Sequence, residues 1–168
     1  MSRRLLLLSA PALLAGLASP SRAQPAAGRT VFDVVSQARG LQKFTALIRQ
    51  AGLEAHLKSA GPFGVFAPTD GAFDHLGSIT LRELEGNAEF RRRVVQNHIT
   101  SYVNVLIPGG NMDSTFGMTA TTRSEAGTEL RISDGNTGLP SINNVRVGLT
   151  NISASNGIVH TLENVLAL

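Results

Sequence analysis

The chain has no cysteine, no apolar run of membrane-spanning length and, beyond its first 23 residues, no charge excess of either sign. Without cysteine there is no disulfide framework and no lipid anchor on an N-terminal cysteine, so stability has to come from packing. The apolar run Leu5 to Leu17 falls short of the roughly 20 residues a membrane helix needs, and no later segment approaches that length. Of the 15 Lys and Arg residues, Arg3, Arg4 and Arg22 lie before residue 24 with no acidic residue among them, which leaves 12 basic against 12 acidic. A chain near neutrality lacks the positive footprint that nucleic-acid backbones demand. The cluster Arg91-Arg92-Arg93 follows Glu83, Glu85 and Glu89, as on a solvated helix face. Catalytic patterns are missing too: there is no G-x-S-x-G elbow, no G-x-G-x-x-G, no P-loop, and the four histidines stand alone, without H-x-H or H-x-x-x-H spacing.

What is present begins with an export signal. Arg3 and Arg4 precede the apolar run, and Ser21-Arg22-Ala23 offers small residues where a signal peptidase reads. Residues 1–23 are therefore expected to be cleaved, 24–29 to form a short leader, and 30–168 to form a single domain in the periplasm or cell exterior. Ser2-Arg3-Arg4 also fits the twin-arginine pattern, although the four leucines after it suit the general secretory route better. The remaining 145 residues are the usual size of one domain.

From Thr30 to Ser59 apolar residues recur at helical spacing, and Gly40 and Gly52 divide the stretch into two or three helices. Phe63 to Ala67 reads as a brief strand ended by Pro68, after which Thr69 or Asp70 caps a helix carrying Ala72, Phe73 and Leu76. Thr80-Leu81-Arg82-Glu83 reads as a capping box, and Asn87 as the cap of a helix whose buried stripe is Phe90, Val94, Val95, His98 and Ile99. Beyond Tyr102 the period falls to two: Thr128, Leu130 and Ile132 share one face, and so do Val145, Val147 and Leu149. Pro108-Gly109-Gly110, Asp134-Gly135 and Asn156-Gly157 read as the turns between strands. A run of helices followed by a run of strands predicts an α+β domain with N-terminal helices packed on an antiparallel β wedge or sandwich.

Two stretches are more specific: residues 61–73, GPFGVFAPTDGAF, and residues 155–166, SNGIVHTLENVL. Together, and with Val94 to Ile99 around His98 between them, they resemble the two signature boxes and the central helix-end motif of the fasciclin domain family, in the family's order and spacing. The resemblance spans roughly residues 30 to 168 and implies that family's fold and a non-enzymatic adhesive role. The chain departs from the family's pattern in having Asn97 where a tyrosine is common, and Glu163-Asn164 where an aspartate often ends the second box. Asn151 stands at the position of the acidic residue of integrin-binding members, followed by the matching apolar Ile152. These two are the candidate partner-contact residues, and the amide at Asn151 separates this chain from the integrin-binding members at that point.

The other marked residues, Pro68, Thr69, Asp70, His98, Asn156, Gly157 and His160, are expected to be structural. Asn156-Gly157 reads as a two-residue hairpin loop with positive φ at both positions, which would set Ser155 opposite Ile158 and Ser153 opposite His160. His160 is then expected to be buried or half-buried and satisfied by a nearby hydroxyl, and His98 to sit in the core or at a helix end, where a positive ring would suit the dipole. Asp70 is expected in the first turn of its own helix. Asn151-Ile152-Ser153 matches the glycosylation acceptor pattern and is read as a chance match within a strand. A serine hydrolase built from Ser153 or Ser155 with His98, His160 or Asp70 has no local support, since a serine beside a hairpin more naturally satisfies backbone. The expectation is thus a binding or adhesion module with no catalytic residues, metal or cofactor, meeting protein or glycan at the cell envelope. The alternative is a periplasmic carrier or sensor of a small apolar ligand held between helices and sheet.

Overall fold

A computed structural model describes residues 28–101, 119–133, 140–149 and 151–166. The first helix, α1 (Val31–Gln37), starts at a reciprocal cap: the Thr30 hydroxyl accepts from the Asp33 N–H, and an Asp33 carboxylate oxygen accepts from the Thr30 N–H at 2.9 Å. Gly40 and Gly52, both at positive φ, separate α1, α2 (Gln42–Gln50) and α3 (Glu54–Leu57), as the spacing predicts. Strand β1 (Phe63–Pro68) follows, buried along its whole length. The helix after Thr69 is a 3-10 helix, Asp70–His75, burying Ala72 and Phe73.

Helix α4 (Ser78–Gly86) begins earlier than the sequence suggests. Its cap residue is Gly77, in extended backbone, so Thr80 lies inside the first turn and cannot act as a capping residue. Helix α5 (Ala88–Asn97) is capped as expected, with Asn87 Oδ1 accepting from the N–H groups of Glu89 and Phe90. It buries Val94 and Val95 and leaves Arg92 and Arg93 exposed. Ile99 belongs to the next element, β2 (Ile99–Thr100).

The remaining strands are β3 (Thr119–Arg123), β4 (Glu129–Ser133), β5 (Ser141–Ile142), β6 (Val145–Arg146), β7 (Ile152–Ala154) and β8 (Gly157–Leu162). Among the described residues, β1 to β8 form two four-stranded sheets, β2-β1-β8-β7 and β3-β4-β5-β6. The α+β class stands, with one correction to the antiparallel expectation: the central pair β1/β8 runs parallel, from Phe63 opposite Gly157 to Pro68 opposite Leu162. That pairing is open to the chain because α4, α5 and the whole second sheet lie between the two strands, far more than a parallel crossover requires.

Alternation along β1 sorts the core into two layers. Phe63, Val65 and Ala67 join the cluster under the helices, with Val35, Phe44, Ile48 and Val95. Phe66 points to the other face, into a cluster between the sheets with Leu130, Ile132, Ile142 and Leu162. Helices, mixed sheet and second sheet therefore stack in that order. Val147 is buried as its alternation predicts, but Leu149 is 68% exposed. The turns expected at Pro108-Gly109-Gly110 and Asp134-Gly135 lie outside the described residues.

Candidate functional site

The second box, residues 155–166, is anchored by its asparagine. β7 and β8 pair with Ala154 opposite Gly157, so the two-residue loop is Ser155-Asn156, and neither Asn156 nor Gly157 has positive φ. The expected turn is thus displaced by one residue. Asn156 is buried, and its amide bonds three remote backbone groups: Oδ1 accepts from Val31 N–H at 2.8 Å, while Nδ2 donates to the carbonyls of Leu57 at 2.9 Å and Ser59 at 2.7 Å. One side chain thereby ties the start of α1 and the end of α3 to the sheet. Gly157 serves a close approach instead of a turn, since a Cβ there would lie 2.0 Å from the Phe63 carbonyl oxygen of β1. The loop that does place two non-glycine residues at positive φ is Asn143-Asn144, at 47° and 66°, between Ile142 and Val145.

The first box works in the same way. Thr69 N–H donates to the Leu162 carbonyl at 3.0 Å, closing β1 onto the end of β8. Asp70 Oδ1 accepts from Lys43 N–H at 2.7 Å, and Asp70 N–H donates to the Gly40 carbonyl at 2.7 Å. Helix α2 has no capping side chain of its own, so Asp70 supplies from 27 residues away the anion and acceptor that its N-terminus lacks. Asp70 heads a 3-10 turn as expected, but the helix it caps is α2.

Both central histidines are buried. His98 Nδ1 donates to the Val94 carbonyl at 2.7 Å, and Nε2 accepts from Leu166 N–H at 3.0 Å, which fixes a neutral tautomer joining the end of α5 to the C-terminal segment. Burial lowers its pKa to about 4, opposed by the bond to Val94, so the positive ring expected at a helix end is excluded by desolvation. His160 stacks on Phe66 with centroids 5.5 Å apart, and its Nδ1 accepts from Asn151 N–H at 3.2 Å. Burial brings its pKa to about 4 as well. Its partner is this backbone amide and not the predicted hydroxyl: Ser153 pairs with Ile158 and is exposed.

Asn151 precedes β7 instead of lying within a strand, at φ 57°, and its Oδ1 is buried without a hydrogen bond. Ile152 begins β7, an edge strand, and packs partly against the core under the helices. Beside it is an open, largely apolar hollow of about 450 Å³ between the α1–α2 connection, the Thr69–Gly71 turn and the end of β8, with Leu149, Ile152, Leu41 and Leu162 among its lining. Leu149 shares its predicted face with the buried Val147, and no feature of the alternation around it signals this surface. Among the described residues no three His, Asp or Glu side chains gather as a metal site would require, and no helix is long and apolar enough to cross a membrane.

The family model for the fasciclin domain matches residues 39–168. Transforming growth factor-beta-induced protein ig-h3 of Sus scrofa is 33% identical over 137 residues, covering 82% of this chain and 19% of the relative. The chain thus spans about a fifth of that relative's length. Protein sll1735 of Synechocystis is 30% identical over 139 residues, covering 81% of this chain and 98% of the relative. Among solved structures, a FAS1 domain pair from the insect cell adhesion molecule Fasciclin I matches with a TM-score of 0.56 at 17% identity, over 83% of this chain and 51% of the other, a likeness of fold alone. With both boxes seated on the central parallel pair and the family model matching from residue 39 to residue 168, the chain belongs to the fasciclin domain family.

Proposed function

We propose that the protein is a non-enzymatic binding or adhesion module acting outside the cytoplasm, and that it meets a protein or glycan partner of the cell envelope through the surface at Leu149 and Ile152. The observation that carries this reading is a large aliphatic side chain, Leu149, standing 68% exposed beside an apolar hollow next to an edge strand. A single exposed aliphatic side chain is ordinary, but here it stands beside both an apolar hollow and a strand edge, which together offer a partner apolar contact and backbone pairing. Catalysis has little to draw on. His98 and His160 each spend a ring nitrogen accepting a backbone N–H, and burial lowers the pKa of both, so neither is available as a general base to a serine. The export signal read in residues 1–23 supports an extracytoplasmic setting.

Capture from an envelope fraction by the immobilised protein tests the reading. Leu149→Ser and Ile152→Thr are expected to reduce recovery of the captured component about tenfold or more each while leaving the melting temperature of the Leu149 variant unchanged. Equal capture by both variants removes this surface from consideration. Prior protease or periodate treatment of the fraction separates a protein from a glycan partner. The size of the hollow also favours, as second reading, a carrier of a small apolar ligand. Saturable one-to-one binding of an apolar fluorophore, abolished by Leu149→Ser, would support the carrier over adhesion.

A further inference from the structure

Asn156-Gly157 is the only place in the chain where glycine follows asparagine. In such a pair no side chain shields the glycine nitrogen, which can attack the neighbouring amide carbon. The Gly157 nitrogen bonds to Cγ of Asn156, the Cγ–Nδ2 bond breaks, and Nδ2 leaves as ammonia with the proton from Gly157. Water then opens the cyclic imide at either carbonyl and gives aspartate or, with the side-chain carbon now in the backbone, isoaspartate. The fold demands both residues of this labile pair. Asn156 supplies the bonds to Val31, Leu57 and Ser59, and Gly157 admits no Cβ against the Phe63 carbonyl. The same contacts oppose the reaction. The ring cannot close without expelling Nδ2 from its bonds to two carbonyls and reshaping a backbone whose Asn156 carbonyl accepts from Phe63 N–H at 2.9 Å.

We propose that Asn156 is a latent deamidation site suppressed by the folded domain, so that an opening of the second box is converted into a permanent loss of stability. Reaction proceeds from the molecules in which α1 and α3 have come away from the turn between β7 and β8. Its product does not return to the native contacts. An ionised aspartate accepts hydrogen bonds and donates none, so it keeps the Val31 N–H while the carbonyls of Leu57 and Ser59 lose their donor and meet a buried negative charge. Isoaspartate lengthens the backbone between two close approaches that leave no space even for a Cβ: Gly61 against the Asn156 carbonyl and Gly157 against the Phe63 carbonyl. The working lifetime of the protein is thus set by how often this turn opens, a kinetic limit in place of an equilibrium one.

Peptide mapping by mass spectrometry on the whole protein, aged in neutral buffer and in urea, tests the proposal. In urea Asn156 is expected to convert faster than Asn143, Asn144 or Asn151, whose following residues carry side chains. In the folded protein its conversion is expected to be about tenfold slower or more, and to rise with urea added below the unfolding midpoint as the open fraction grows. Gly157→Ala, followed only in urea so that its folding does not matter, should slow the conversion by shielding the nitrogen. Aged wild-type chains are then diluted from urea and exposed briefly to protease. The resistant fraction should carry intact Asn156, with aspartate and isoaspartate at this position depleted from it about tenfold or more. Equal conversion rates in folded and unfolded protein overturn the suppression, and an unchanged rate in Gly157→Ala overturns the assigned nucleophile. Survival of modified chains in the same proportion as intact ones overturns the permanent loss.

Discussion

Asn156 illustrates how a residue can be marked in the sequence while its work stays hidden. The Asn-Gly pair suggests a turn because of its local tolerance for positive φ, yet the amide is committed to Val31, Leu57 and Ser59, up to 125 residues away. No periodicity or spacing encodes those partners. The histidines follow the same pattern, since their burial was legible from the apolar residues around them and their acceptor roles were not. Removing the Asn156 amide leaves a buried N–H and two carbonyls short of partners, at about 1 kcal/mol for each bond. Asn156→Ala is therefore expected to destabilise the protein by about 3 kcal/mol in urea unfolding. A loss below about 1 kcal/mol would mean that water replaces the amide and that α1 and α3 are held by packing alone.

At the scale of elements, helices with their own punctuation were the readable ones. Gly40, Gly52 and Asn87 act locally, and the helices they bound start or stop there, although α5 ends at Asn97 and gives Ile99 of its expected stripe to β2. Elements whose start depends on tertiary partners were misplaced or incompletely read. Helix α4 begins at a glycine that gives no side-chain signal, and α2 takes its capping carboxylate from Asp70. The Asn143-Asn144 loop could have been found from residue type, because asparagine tolerates the left-handed region and two in succession satisfy a hairpin that needs it twice. Asn144→Gly should leave stability nearly unchanged, whereas Asn144→Val should cost about 1–2 kcal/mol by forcing a β-branched residue to positive φ. Equal midpoints for the two variants in thermal unfolding would contradict that conformation.

Taken whole, the molecule is three layers pinned by a parallel strand pair that joins its two sequence boxes. The succession of helices then strands made the α+β class legible, while the parallel pairing depends on contacts between distant segments that leave no local trace. The two buried histidines give the layers a common sensitivity to acid. Both have folded pKa values near 4, below the 6.5 of a free imidazole, so the unfolded chain binds protons more readily. Their stabilising contribution is complete above pH 6.5 and is lost as pH falls toward 4, by about 3 kcal/mol for each ring. Urea midpoints should be level from pH 8 to 7 and drop steeply below 6.5, and a midpoint independent of pH over that range would refute the burial of both rings. The central claim is that the two boxes are scaffold, their histidines acting as fixed hydrogen-bonding groups and not as chemical ones. Nitrogen-15 NMR of the imidazoles over a pH series, with and without zinc, tests it most directly. The account predicts a neutral Nδ1–H ring at His98 and a neutral Nε2–H ring at His160, both held to below pH 5 and indifferent to zinc. Titration of either ring near pH 6.5, or a zinc-induced shift of both, would contradict it.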